Sequence, residues 1–485
     1  MNRVKIIATV GPATKHPEIL STLREAGMDV ARLNGAHADL GWHNHTISLL
    51  REILPDVPIL LDIPGRKIRT GRLDPDLSFA QGEIMVFTNH NGQNSPNRIP
   101  VAWPGWPKGI RAGMSIFVDD GTLRFTVLDI VAPDVICRAE NAGTIRSGKG
   151  INIPGIQFQE SPLTDRDREL IQLALRKEVD FVGLSFADNA AQVQSLRTLL
   201  GKKGPRVVAK IETQNALDEL GKIMRVSDAL MIDRGDLSVE TNLERVTLLQ
   251  KHILAEGQRA ACPVIVATEM LHSMIANPIP TKAEVSDITN AVLEGAAALM
   301  LSGETTVGKF PVEAVRVMRR VANTASEHLQ DTLEQNNGWG KDHVPEAIGD
   351  AIALICRNLK ITKIVAITLS GYAARMIAAR IPRQPILAVS NDPTAARCFN
   401  LLRGAKGIWV DIPVSRTSLE HIPRFLEALW QKGELADEDL ILVTAVSYPK
   451  SGNRMNLIET HQVADLRENL GWKNVQSTSI ASVPG

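Results

Sequence analysis

The chain opens on two alternating patterns. "VKIIATVG" is a short apolar run rich in β-branched residues and closed by Gly-Pro, which predicts a strand. "PEILSTLREAGM" sets Ile19, Leu20, Leu23 and Ala26 at helical spacing and ends at Gly27, a C-cap residue. "DVARLN" predicts a second strand, "HNHTISLLREIL" a second helix and "PILLDIP" a third strand. Such alternation implies a parallel sheet. From Arg72 to about Pro154 the helical period disappears. There "SIFVDDGTLRFTVLDI" places Asp120-Gly121 between two alternating runs, a strong hairpin signal. This stretch reads as a small all-β domain inserted after the third strand.

Alternation returns at Thr164, where "TDRDRELIQLAL" begins with an N-cap and a capping box. Strand runs follow at "DFVGLSF", "RVVAKIE", "ALMIDRGD", "VIVATEM" and "AALMLSGET", each with a helical segment behind it. Three strands before the insertion and five after it predict an α/β fold, a closed (β/α)8 TIM barrel. The polar stretch "EQNNGWGKDH" reads as a linker. Beyond it "KIVAIT", "PILAVS", "GIWVDI" and "LILVTA" alternate with helices and predict a smaller open α/β domain. The expected domains are a barrel over 1–71 and 157–333, a β insertion over 72–156 and a C-terminal domain over 334–485.

Charge narrows the function. Lys+Arg and Asp+Glu each number 54, so the net charge is zero. That argues against nucleic acid or an acidic membrane held by bulk charge, and any anion recognition has to be local. One local cluster stands out: "LLDIPGRKIRTG" ends a strand on Asp62, breaks at Pro64-Gly65, and brings Arg66, Lys67 and Arg69 together. Cys137, Cys262, Cys356 and Cys398 have no metal-ligand spacing and each adjoins an apolar run, which predicts reduced core residues. No apolar run reaches membrane-spanning length and the N-terminus enters a strand at once, so a soluble cytoplasmic protein is expected.

In a barrel of this kind the chemistry belongs at the C-terminal strand ends. Those ends carry Arg32, Asn34, Asp62, Ser185, Lys210, Glu212, Asp236, Thr268, Ser302 and Glu304. Lys210 and Glu212 are two apart on a strand and face the same side. They are either a neutralising ion pair, or a metal-binding glutamate beside a lysine that holds an anion. Asp236 follows Gly235 just past a strand, where backbone N–H groups suit a carboxylate or phosphate. Two carboxylates with waters and substrate oxygens form a common Mg²⁺ ligand set.

Along essentially its whole length the chain resembles the pyruvate kinase family. The resemblance is carried by "KIIATVGPAT", "VARLNGAH", "DIPGRKIRTG", "VDDGTL", "GKGINIPG", "VGLSF", "AKIET", "RGDLSVE", "PTKAEVSD" and "ALMLSGET". It implies phosphoryl transfer from phosphoenolpyruvate to ADP, a β-domain lid and a homotetramer. Residue by residue, Lys210 matches the lysine on the transferring phosphoryl group and Arg32 the arginine on the phosphate. Glu212 and Asp236 match the ligands of Mg²⁺ or Mn²⁺. Gly235, Asp236 and Thr268 match contacts to the substrate carboxylate. Asn34, His37, Arg69 and Lys149 match nucleotide-side groups. Ser302 and Glu304 match a pair near the water that protonates the enolate. Thr368, Ser370 and Gly371, in "TLSGYAAR", lie where family members bind phosphorylated effectors.

The resemblance breaks at the family's monovalent-cation site. Ala36 stands where a serine hydroxyl would ligate K⁺, and Lys67 stands where a glutamate is usual. In family members that need no K⁺ a lysine occupies that place, so Lys67, beside Asn34 and Asp62, is expected to stand in for the ion. Arg66 and Pro64 have no counterpart in the usual pattern. Asp233 stands where a small residue is the habit. Two alternatives use the same core: a related phosphotransferase on another enolpyruvate-like acid, and a regulatory paralogue with little turnover. A barrel lyase is disfavoured, since it needs no nucleotide.

Overall fold

A computed structural model describes residues 3–65, 67–90, 97–103, 105–119, 121–156, 163–332, 344–415, 418–446 and 455–473. Arg66, Asp120 and the expected linker 334–343 lie outside them. The chain divides into two compact units, Ile6–Val321 and a second formed by Met1–Lys5 with Ala322–Gly485.

The first unit holds a closed barrel of eight strands: β1 (Lys5–Thr9), β2 (Val30–Asn34), β3 (Ile59–Ile63), β4 (Phe181–Leu184), β5 (Arg206–Ile211), β6 (Ala229–Asp233), β7 (Val264–Ala267) and β8 (Ala298–Leu301). The strands neighbour one another in chain order. Every residue of β1, β3, β4, β6, β7 and β8 is buried. That is why they read as unbroken apolar runs: a strand covered on both faces has no solvent side to make polar. Local chemistry sets the helix ends. Pro17–Ala26 stops where Gly27 adopts φ 119°, and Asp165–Arg176 starts at the Thr164–Asp167 capping box.

Between β3 and β4 the chain builds a seven-stranded sheet and a two-stranded one. Ile68–Arg69 already joins the larger sheet, pairing with Gly150–Asn152. The expected hairpin is present, with Ser115–Val118 antiparallel to Leu123–Val131. Phe87 and Phe125 meet edge to face at 5.1 Å in its core, among Met85, Val127 and Val135.

The other unit carries five strands in the order Ala405–Trp409, Ile386–Ser390, Lys363–Ile367, Leu440–Ala445 and Leu457–Gln462. The first four are parallel and the last is antiparallel. Leu457–Gln462 was not expected from sequence. It is an edge strand with almost no buried residue, so it shows no apolar run. All four cysteines are buried and none is in a disulfide. Among the described residues no helix is long and apolar enough to cross a membrane.

Candidate active site

The C-terminal ends of β1 to β6 build a buried charge network. Thr9 and Arg32 are register partners on β1 and β2, and Arg32 donates to the Thr9 hydroxyl at 3.0 Å. Arg32 also reaches across to Asp62 on β3, with both Nε and Nη2 at 2.8 Å from Oδ2. The next strand leaves room for this pair. Gly183 on β4 is the register partner of Asp62, and a Cβ there would lie 2.0 Å from Asp62 Oδ1.

Lys210 is the hub. Its strand β5 directs it inward, 6% exposed, where Nζ lies 2.6 Å from Glu212 Oε1, 3.1 Å from Asp233 Oδ2 and 3.3 Å from Ser185 Oγ. Burial works against the ammonium charge, but Glu212, Asp233 and Asp62 outweigh it and raise the lysine pKa. Burial pushes the fully enclosed Glu212 carboxyl well above the usual carboxylate range, against the pull of Lys210. Burial acts on Asp233 too, but Lys210 and Arg32 outweigh it and hold that carboxyl below its ordinary value.

Glu212 has two unlike oxygens. Oε2 accepts the Phe186 backbone N–H at 2.6 Å. Oε1 forms an ion pair with the Lys210 ammonium and has no further hydrogen-bond partner among the described residues. Asp236 follows on the first turn of the helix Arg234–Glu240. One carboxylate oxygen from each of Glu212, Asp233 and Asp236 lies within 4.8 Å of the others. Hard oxygen donors at that spacing fit a divalent cation such as Mg²⁺ or Mn²⁺.

Lys67 also enters this network. Its Nζ lies 2.6 Å from Asp236 Oδ1 and 6.0 Å from the centre of the Phe186 ring. The inserted sheet passes close over it, and a Cβ on Gly150 would meet Lys67 Cε at 2.6 Å. Sequence led us to expect Lys67 beside Asn34 and Asp62. The structure gives it Asp236, while Asp62 is engaged by Arg32. Asn34 turns its own Oδ1 to the Ala36 N–H at 3.1 Å.

Thr268 closes the far side of the network. Its φ of 69° is unusual for a β-branched residue, and such backbone costs about 1–3 kcal/mol. Its hydroxyl donates to the Ala267 carbonyl and accepts the Gly235 N–H at 3.1 Å. Arg234 holds the strained turn: Nη2 donates to the Thr268 carbonyl at 2.5 Å, and Nη1 reaches both Asp287 carboxylate oxygens at 2.7 and 2.8 Å. Sequence reading passed over Arg234. Its signal was its place between Asp233 and Gly235 at a strand end, yet its partner Asp287 lies on another helix. Glu304 is committed to the backbone, with Oε1 accepting from Leu271 N–H at 3.0 Å and Oε2 from Ser302 N–H at 2.8 Å. The Ser302 hydroxyl is buried without a hydrogen-bond partner among the described residues.

The other nucleotide-side candidates make contacts of their own. His37 is exposed, and its carbonyl accepts from His43 Nε2. Arg69 donates to the Gly148 carbonyl at 2.9 Å. Lys149, on the neighbouring turn of the inserted sheet, pairs with Asp119 at 2.8 Å. In the other unit, Thr368 Oγ1 accepts the Gly371 N–H at 3.0 Å, so of that trio Ser370 presents the exposed hydroxyl.

Comparison with known proteins places these features in a family. The description "Pyruvate kinase, barrel domain" matches residues 1–315, and "Pyruvate kinase, alpha/beta domain" matches residues 346–461. The pyruvate kinase of Bacillus licheniformis is 35% identical over 482 residues, covering 96% of this chain and 81% of the relative. That of Agrobacterium vitis is 35% identical over 466 residues, covering 94% and 96%. A crystal structure of a pyruvate kinase from Cryptosporidium parvum superposes with a TM-score of 0.84 at 30% identity, covering 95% of this chain and 96% of that one.

Proposed function

The chain belongs to the pyruvate kinase family of phosphotransferases, and from that premise we propose that it moves the phosphoryl group of phosphoenolpyruvate to ADP, with Mg²⁺ and without K⁺. The observation that carries this reading is Lys210, enclosed between Glu212 and Asp233 with Asp236 alongside. Phosphoryl transfer is mainly positioning and charge neutralisation, and this cluster supplies both.

In the proposed reaction the P–O bond of phosphoenolpyruvate breaks as a terminal oxygen of ADP bonds to the phosphorus. The enolate left behind takes a proton on carbon and becomes pyruvate. A divalent cation held by Glu212 and Asp236 would supply positive charge to the substrate oxygens. Lys210 and Arg32 neutralise the phosphoryl group in transit. Gly235, Asp236 and Thr268 orient the substrate carboxylate. Ser302, whose hydroxyl lacks a partner among the described residues, relays the proton, and Glu304 positions it by fixing the Ser302 backbone. Asn34, His37, Arg69 and Lys149 serve the nucleotide. We assign the lid role to the inserted sheet, residues 72–156, and the catalytic role to the barrel segments 1–71 and 157–333. The C-terminal segment 334–485 is assigned to assembly as a homotetramer and, at Ser370, to effectors. The site of action is the cytoplasm.

Asp233 favours a second reading, since a further carboxylate beside Lys210 alters the charge met by an incoming acid. That reading is a phosphotransferase acting on another enolpyruvate-like acid. The test is ADP phosphorylation by phosphoenolpyruvate and by a panel of phosphorylated enol acids, with and without a chelator. Phosphoenolpyruvate is expected to be the best donor, with turnover abolished by chelation and restored by Mg²⁺ or Mn²⁺. Another donor far ahead of it would establish the second reading, and unchanged turnover in chelator would refute the metal assignment.

Lys67 is proposed as the built-in monovalent cation, now with Asp236 as its carboxylate. Activity is therefore expected to be equal in sodium, potassium and tetramethylammonium salts at fixed ionic strength, which holds screening of the phosphates constant. Lys67→Glu should be nearly inactive without K⁺ and regain part of its rate with it. Adding Ala36→Ser should enlarge that K⁺ response. A wild-type enzyme silent in tetramethylammonium and switched on by K⁺ would overturn the assignment.

A further inference from the structure

Asp233 ends β6 and is the N-cap of the helix Arg234–Glu240. Aspartate at an N-cap ordinarily accepts an N–H of the first helical turn. Here the side chain makes no such bond. It is 8% exposed and turns to the Lys210 ammonium instead, 3.1 Å away. One of its oxygens thereby comes within 4.8 Å of a carboxylate oxygen of Glu212 and one of Asp236. Acids gathered around a lysine do not by themselves make a metal site. A second observation does point to a ligand. Glu212 Oε1 is fully buried and, among the described residues, has as its partner only the ion-paired Lys210 ammonium 2.6 Å away, which it shares with Asp233. That one ammonium serves two enclosed carboxylates, and a cation among the three acids would compensate the negative charge left over.

We propose that Asp233 is a third carboxylate ligand of the divalent cation, joining Glu212 and Asp236. The inference rests on reading those two residues as the metal pair. Its consequence has opposite signs for the two things the site binds. An extra negative ligand tightens the hold on a divalent cation before substrate arrives. The same charge lowers the net positive field left for an acid that carries both a carboxylate and a phosphate. This chain is therefore built to load metal more firmly, and phosphoenolpyruvate less firmly, than a site with a small residue at position 233.

The test uses the full chain without substrate. Mn²⁺ binding is measured by the electron paramagnetic resonance of the free ion, for the wild type, Asp233→Asn and Asp233→Ala. Asparagine keeps the volume and an acceptor for Lys210, so it isolates the charge. Removing one of three anionic ligands lowers the charge that holds the cation, so at least about a tenfold rise in the Mn²⁺ Kd is expected for both variants. In parallel, the KM for phosphoenolpyruvate at saturating Mn²⁺ should fall in Asp233→Ala. A residue that merely steadied Lys210 would lower kcat and leave the Mn²⁺ Kd unmoved. An unchanged Kd in both variants overturns the proposal. Weakened Mn²⁺ binding in a protein that fails to turn over phosphoenolpyruvate would sustain the Asp233 assignment while refuting the proposed reaction.

Discussion

Replacing Lys210 with methionine is expected to lower kcat by about a thousandfold or more, because the charge proposed to act on the phosphoryl group in transit is lost. The KM for phosphoenolpyruvate should change far less. In the proposed reaction bound substrate already has Arg32 and the metal, whereas the lysine counts most when charge is shared between donor and acceptor oxygens. Structure adds a second expected effect. Lys210 touches both Glu212 and Asp233, and methionine leaves two enclosed carboxylates without their common cation. Removing one partner of a buried ion pair destabilises by about 3–5 kcal/mol. The variant should therefore melt lower in chelator and recover part of the loss in Mg²⁺, whose charge compensates the same acids. Calorimetric melts with steady-state kinetics on the folded fraction separate the two effects. A variant that melts lower but keeps its rate per folded molecule would reduce Lys210 to a structural ion pair.

Glu212→Gln is the second large effect, with kcat expected to fall by at least about a hundredfold. The amide oxygen can still accept the Phe186 N–H, so the local fold should persist. The amide nitrogen then takes the place of Oε1 and faces the Lys210 ammonium, donor against donor. No anionic oxygen remains there for a cation. A pH signature accompanies the loss. Burial holds the metal-free Glu212 carboxyl above the ordinary carboxylate range, so at acidic pH a cation has to displace its proton. Wild-type Mn²⁺ affinity should rise with pH from the ordinary carboxylate range upward, and Glu212→Gln should lose that component. Titrating Mn²⁺ at a series of pH values reads it directly. Equal pH slopes in both proteins would show that Glu212 does not hold the metal.

Much of the fold was legible in the chain because its signals are local. The β-branched run of β1, the Gly27 cap and the Thr164–Asp167 box act within a few residues, and each gave the expected element. The edge strand Leu457–Gln462 escaped because its place depends on pairing with Leu440–Ala445, not on any apolar pattern of its own. Within the site, Lys210 and Glu212 were legible as a pair since two-residue spacing on a strand puts both on one face. Asp233 showed only as a misplaced acid, and Arg234 only by its place at a strand end, since its partner Asp287 lies on another helix.

By itself the sequence determined the eight βα units, the inserted β segment, and the kinds of side chain delivered to the strand ends. Barrel closure and strand register then decided which of those side chains meet. Lys67 and Asp236 stand 169 positions apart in the chain yet touch at 2.6 Å. Arg32 takes Asp62 across the β2–β3 pair, and the Lys67 ammonium meets Asp236. Asp233 leaves its own helix uncapped because a buried ammonium attracts its carboxylate more strongly than a backbone N–H does. Periodicity is a property of neighbours along the chain, whereas the pairing of charges is a property of the enclosed space where the strands converge.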